Sequence, residues 1–552
     1  MPIPETKLQT IAANSYGLKF SQLVNPTKLY EDYLAGGLSD FYRYNFLDSS
    51  SAVKAAAAIN STAYDRRSIH NIVDDANRRL GAGDKTLANI ELLRQANTLC
   101  IFAGQQVSFC AHPMYIIYKA ITAVKLAERY SKELNRPVVP CFWMATDDHD
   151  FEEVRNANFL QRSGEMVTLT YSPTNDLSGY PVAEMTLDDG VNDFCKTVDD
   201  ALIDTEFKAP LLDIFKDFYK VGNKLSEAFA RVLNHFLGDL GIILVDPNFP
   251  GMKDLFQPVF KKEITGHDQT FNLYEQRCKK LQQDGYHIQV HKSGENLNMF
   301  YHGPKRSNIV IENSKFKIDG YDLTFTQDQL LAEVDKSPAQ FSSNVLLRPI
   351  AQCAAFPTLA HVVGPSELAY FAQIEPLFEY FEVPFPIAFP RAGMTIVEPH
   401  INKIIKKYDL QLSELKNDLE MTIGSVVERL FPSVAANNVV SLSDCMARDL
   451  DELAIQLKQS DPEGERHVLN FAKQLDFDIK QLTKKLQASN KKRHEELTGQ
   501  MRRAHAFLFP NGGLQERLIS PLYYANKFGP GIFQAIYDNL EVDKPAHTVL
   551  EL

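Results

Sequence analysis

Residues 98–153 constrain the fold more than any other part of the chain: TLCIFAGQQVSFCAHPMYIIYKAITAVKLAERYSKELNRPVVPCFWMATDDHDFEE. An apolar run, Leu99 to Ala103, stops at Gly104. From about Pro113 to Leu134 a helical period follows, with Ile117, Ile121 and Val124 on one face. Beyond Pro137 a second apolar run, Val138 to Ala145, stops at Thr146, just before Asp147-Asp148-His149-Asp150-Phe151-Glu152-Glu153. Strand, helix and strand in this order predict a βαβ unit whose two strands lie parallel in a buried sheet. Both strands then end at one sheet edge, so Gly104-Gln105-Gln106 and Thr146–Asp150 face one crevice. Ligands of open α/β sheets bind at that edge.

The rest of the chain reads as additions to this core. At 552 residues it exceeds one simple core. Residues 1–153 carry N-terminal helices and the first half of the core, and 154–240 read as a first connecting insert. Residues 241–285 return to the core, with the run 241–246 as a third parallel strand ending at Asp246. Within 154–240 a strand is expected at Met166–Tyr171 and a continuous helix over Leu211–Leu237. Residues 286–343 are short, alternating segments, beginning with His287–His291, and predict a small β-rich second insert. Residues 344–400 hold the second half of the core, with a strand at Leu359–Val363 and a helix at Ser366–Phe381. From 401 to 510 apolar residues step by three and four. Leu412, Leu415, Leu419, Ile423, Val426 and Leu430 precede a break near Pro432, and Val468, Phe471, Leu475, Ile479, Leu482 and Leu486 follow it. That spacing, with Lys480, Lys484 and Lys491 between, predicts an antiparallel coiled coil suited to dimerisation. Residues 511–552 are expected to pack back.

Bulk properties exclude several function classes. A net charge of −12 argues against general nucleic-acid binding. No apolar run is long enough for a membrane span, and the N-terminus lacks the basic-then-apolar pattern of a signal peptide. The seven cysteines are scattered without a CxxC pair, which fits reduced thiols in a cytoplasmic protein.

The acidic segment after the second strand is the densest chemical candidate. Asp148, His149 and Asp150 suit binding of a substrate amine, a ribose or Mg²⁺, or proton transfer, and helix capping is the competing use of such acids. Gly104, Gln105 and Gln106 face the same crevice. His112 precedes the crossover helix, whose first N–H groups suit a phosphate, and Tyr115 lies in its first turn. Arg348 offers a planar fork for a carboxylate or phosphate, near Gly364, Glu367 and Tyr370. One histidine among hard carboxylates lacks a zinc donor set, so no resident metal is expected. Neither GxGxxG nor GxxxxGK[ST] is present.

FAGQQ, PMYIIYKAITAVKLA and PVVPCFWMATDDHDFEE resemble the bacillithiol biosynthesis cysteine-adding enzymes, the BshC family. The later segments LRPIAQCAAFPTLAHVVGPSELAYFAQIEPLFEYF and FPRAGMTIVEP, with LVNPTKLYEDYL near the start, are similar to that family in order and spacing. The resemblance implies an α/β fold: a Rossmann-like core of the class I synthetase-like nucleotidyltransferases, two inserts and a coiled coil that forms a homodimer. It also implies a carbon–nitrogen ligase joining L-cysteine to glucosaminyl-malate in the last step of bacillithiol synthesis, with ATP as the inferred activator. Synthetase-like enzymes open the first core helix with a His-x-Gly-His element. Here that place reads Cys110-Ala111-His112-Pro113-Met114, and only Lys305-Arg306-Ser307 faintly resembles a Lys-Met-Ser-Lys-Ser element. Two rival readings follow from these departures. One is a catalytically degenerate scaffold of the same pathway, and the other a nucleotidyltransferase acting on another amino sugar.

Overall fold

The structure is a computed structural model that describes residues 11–177, 179–303, 305–430, 434–543 and 546–552. Five parallel strands form the central sheet: β1 (Leu99–Gln105), β2 (Val138–Met144), β3 (Ile243–Val245), β4 (Thr358–Val363) and β5 (Ile387–Pro390). Their spatial order is β3-β2-β1-β4-β5, which is Rossmann-like. The order reverses between β1 and β4. Apolar runs at β1 and β2 are buried along nearly their whole length, as strands covered on both faces must be. Between them runs helix α1 (Tyr115–Leu134), which buries Ile117, Ile121 and Val124. Asn135 ends it in the left-handed conformation, its N–H returning to the Ser131 carbonyl. Helix α2 (Pro365–Phe381) leaves the end of β4, with Pro365 at its first position.

Residues 1–397 and 513–552 form one compact unit, and residues 398–512 form another. In the first unit, the expected helix over Leu211–Leu237 is two helices, Lys208–Phe218 and Leu225–Leu237. Gly222 turns the chain between them at φ +89°, and Tyr219 buries its ring against Phe109. The β-rich insert is a five-stranded sheet built from Asn296–His302, Arg306–Glu312, Lys315–Ile318, Thr324–Phe325 and Phe341–Ser343. His287–His291 is not one of its strands. Instead the Gln289 and Val290 N–H groups donate to Gln373 Oε1, and the Val290 carbonyl accepts from Gln373 Nε2. A side chain on α2 thus satisfies backbone that periodicity assigned to a ladder. Three further strands, Asn14–Lys19, Ala546–Glu551 and Gly393–Val397, pair into a separate sheet. The C-terminal segment therefore packs back within this unit.

The second unit is helical. Its longest helices, Val434–Leu457 and Pro462–Leu508, form an antiparallel hairpin joined by a short turn. Asp461 caps the second helix, accepting the Gly464 N–H at 2.9 Å. Ile423, Val426, Leu497 and Met501 are buried, whereas Ile455, Phe471, Phe477 and Leu482 lie open to solvent. The break near Pro432 and the side chains of Leu486 and Lys491 lie outside the described residues. Among the described residues no helix is long and apolar enough to cross a membrane.

Candidate active site

A cavity of about 670 Å³ opens at the carboxyl ends of β1, β2 and β4, where the strand order reverses. Crevices of this kind hold ligands because strand ends and helix N-termini direct unpaired polar groups into them. Gly104, Gln105, Gln106, Tyr115, Asp148, Arg348, Gly364, Glu367 and Tyr370 all line it. So does Trp143, the only tryptophan of the chain.

Lys119 ties the two central strands together. It sits on α1 with its side chain 4% exposed, and Nζ donates to the Gly104 carbonyl at 2.9 Å and Gln105 Oε1 at 3.0 Å. Its third contact is Glu367 Oε2 at 2.5 Å. The same carboxylate oxygen accepts the Gly364 N–H at 2.8 Å. All three ammonium donors are thus engaged. The sequence left the direction of Lys119 open because α1 is apolar on several sides.

The acidic segment divides by environment. Asp147 is half-buried, paired with Lys253 at 2.6 and 2.7 Å and bonded by Asn248. Burial pushes its carboxyl up, but Lys253, with His302 and Arg306, outweighs that and leaves it below the ordinary aspartate value. Asp148 accepts from Gln106 Nε2 at 2.6 Å and from the His149 N–H at 2.7 Å, with Arg306 Nη1 at 3.9 Å. The structure therefore brings Gln106 of β1 and Asp148 of β2 together at the cavity wall. His149 and Asp150 are not on that wall. His149 Nδ1 faces Arg306 at 3.2 Å, and Asp150 caps the short helix Phe151–Val154 by accepting the Glu153 N–H. Asp246, at the end of β3, is buried beneath this loop. Its Oδ1 accepts from Thr146 Oγ1 at 2.5 Å and from the Asn248 N–H at 2.7 Å, and burial pushes its carboxyl up to about 6.

Arginines line the same cavity. Arg348 bonds only neutral partners, Gln352 Oε1 at 3.1 Å and Tyr370 Oη at 3.2 Å, and lies over the Trp143 ring. Among the described residues it has no acidic partner, so its charge is open to a ligand anion. Arg306 reaches in from the β-rich insert, stacked 3.8 Å from the Phe300 ring centroid. Arg391 is buried against Glu516 at 2.5 Å, and Arg517 follows on the returning C-terminal segment. Lys119, Arg306, Arg391 and Arg517 were not singled out in the sequence as site residues, and Glu153 entered only as the last acid of the acidic segment. Arg306 carried a trace, in Lys305-Arg306-Ser307, whereas Lys119, Arg391 and Arg517 become neighbours only through the fold.

His112 does not reach the cavity. Its ring is largely buried, and burial lowers it to about 4, so it is neutral. Two N–H groups at the opening of α1 are already taken. The Met114 N–H donates to the Ile519 carbonyl at 2.9 Å, and the Ile116 N–H to the Pro113 carbonyl at 3.1 Å.

Comparison with known proteins agrees with this architecture. Residues 17–392 match the family described as "Bacillithiol biosynthesis BshC, N-terminal Rossmann-like domain", and residues 394–552 match its C-terminal coiled-coil domain. A Salinibacter ruber protein named "Putative cysteine ligase BshC" is 31% identical over 95% of this chain and 96% of its own length. Proteins of the same name from Prosthecochloris aestuarii and Desulforamulus reducens are 26% and 29% identical. They cover 98% and 85% of this chain, and 100% and 86% of their own lengths. With a Rossmann-like core, a helical hairpin unit and matches along nearly its whole length, the chain belongs to the BshC family of bacillithiol biosynthesis.

Proposed function

We propose that this protein is a ligase that forms an amide between the carboxyl group of L-cysteine and the amine of glucosaminyl-malate, as the last step of bacillithiol synthesis. The observation that carries the reading is a switch-point cavity lined by both carboxylates and arginines, among them Asp148 and Arg348. Asp148, held in place by Gln106 and Arg306, suits an ammonium group. Arg348, without an acidic partner among the described residues, suits a carboxylate of the malate moiety.

Activation of the cysteine carboxyl by ATP accompanies this proposal. The residues fit a polyphosphate at the cavity arginines, of which Arg348 and Arg517 have no acidic partner among the described residues. His112, which lies outside the cavity, takes no part in this. ATP, with Mg²⁺ as its counterion, would supply the activated carboxyl. The protein's own groups bind, orient and move protons. We further infer a cytoplasmic homodimer joined through the helical hairpin, whose exposed Phe471, Phe477 and Leu482 need a partner surface.

The test is direct. Purified protein incubated with glucosaminyl-malate, L-cysteine and ATP should yield bacillithiol by mass spectrometry. Nucleotidyl transfer to an amino sugar without cysteine incorporation would replace the ligase reading, and complete inactivity would favour a scaffold.

A further inference from the structure

Four acids line the cavity: Asp147, Asp148, Glu153 and Glu367. Three have a cation beside them. Lys253 pairs with Asp147 at 2.6 Å, Arg306 lies 3.9 Å from Asp148, and Lys119 meets Glu367 at 2.5 Å. Glu153 is the exception, with no cationic partner among the described residues. Its place is set by the Asp150 cap, which receives the Glu153 N–H at 3.2 Å and fixes the helical turn at the cavity's edge.

Amide formation needs such a group. The amine of an amino sugar is an ammonium ion near neutral pH and has no lone pair to attack with. A carboxylate tied to lysine or arginine is a poor proton acceptor, because the pair favours its charged form. His149 is no better placed, since it lies off the cavity wall and its Nδ1 faces the Arg306 guanidinium.

We propose that Glu153 is the catalytic base that takes the proton from the substrate ammonium, with Asp148 as the fixed anion that orients it. The assignment rests on the ligase reading above. In the step, one ammonium proton passes to the Glu153 carboxylate. The freed nitrogen lone pair forms a C–N bond to the activated carboxyl carbon of cysteine. The bond from that carbon to the activating oxygen breaks, and its electron pair leaves with the phosphate-type leaving group. The nitrogen's surplus proton follows to solvent.

The surroundings of Glu153 agree with the role. Burial raises its carboxyl above the ordinary glutamate value, the Gln106 amide opposes the rise, and the charges of Asp150 and Asp148 add to it. Tyr115 of α1, itself pushed up to about 12 by burial, feels the charge of Glu153 together with those of Arg391, Glu367 and Arg517. A carboxyl raised toward the working pH is a better proton acceptor than an ordinary one.

The experiment compares wild type with Glu153→Gln at two nucleophiles, the amino sugar and hydroxylamine, which is already neutral at the assay pH. With the amino sugar, kcat should fall about 10²–10⁴-fold, and the acidic limb of the pH profile should disappear. With hydroxylamine, cysteine hydroxamate formation should show a deficit at least tenfold smaller, which also reports that the variant is folded and activates cysteine. Equal deficits with both nucleophiles, or an unchanged pH profile with the amino sugar, would overturn the assignment. Absence of product from wild type would instead overturn the ligase reading, so the two failures are distinguishable.

Discussion

Lys119 and Glu367, 248 positions apart in the chain, meet with Nζ and Oε2 at 2.5 Å. Through this pair the ends of β1 and β4, the strands at which the sheet order reverses, are fastened to each other. The ammonium also holds the Gly104 carbonyl, and the carboxylate also holds the Gly364 N–H. The floor of the cavity is thus set by one ion pair rather than by the two loops separately.

Lys119→Met leaves Glu367 without its cation, and removal of one partner of a buried pair costs about 3–5 kcal/mol. Thermal unfolding should shift to lower temperature and ligase activity should be lost with it. The double variant Lys119→Met/Glu367→Gln should recover part of the stability but not the activity. Full stability of Lys119→Met alone would show that the pair does not secure the strand ends.

Neighbouring acids should behave differently. Asp148→Ala removes an anion from the cavity wall, and misplacing the bound amine should lower product formation by about 100-fold. Asp150→Ala removes a helix cap, at a cost of about 0.5–2 kcal/mol in stability, and should leave turnover within severalfold of wild type. Steady-state rates and melting temperatures of the two variants separate the roles.

Asp246 should give stability an unusual pH dependence. Its carboxyl is held at about 6 in the folded state, against about 3.9 unfolded. Between these values the folded state holds a proton that the unfolded chain has released. This group's contribution therefore falls as pH rises from about 4 to about 6, by about 2–3 kcal/mol. Asp246→Asn keeps an oxygen for both Thr146 and Asn248 but cannot ionise. Denaturation midpoints should show the variant gaining on wild type across that window and holding the gain at pH 7.

Trp143 provides an internal reporter, being the chain's single tryptophan and lying beside Arg348 in the cavity. Glucosaminyl-malate should change its fluorescence on titration. Arg348→Ala should weaken that binding by about 1.5–3 kcal/mol, the range for a hydrogen bond to a charged group. An unaltered affinity would move the malate away from Arg348.

Phe471→Glu combined with Phe477→Glu places charges on an exposed apolar surface of the helical hairpin. Sedimentation should show wild type as a dimer and the variant as a monomer with its helix content retained.

The sequence by itself determined the parts whose signals are local. Apolar runs stopped by Gly104 and Thr146, with an amphipathic stretch between, specify β1, α1 and β2, because burial on both faces needs no distant information. Three-and-four spacing after residue 401 likewise specifies paired helices, and the family resemblance extends over the same segments. The sequence also placed Gln106 and Asp148 at one edge, since parallel strands end together. The roles inside the acidic run depended on what each carboxylate faces. Lys253 lies 106 positions from Asp147, and Arg306 lies 158 positions from Asp148. Only the tertiary structure could therefore leave Asp147 paired, Asp150 capping and Glu153 without a cation. The same holds for His112, which adjacency placed at the site and burial removed from it. Charge pairing and desolvation act through space over a few ångströms, and those distances do not exist until β1, β2, β4 and the β-rich insert have come together.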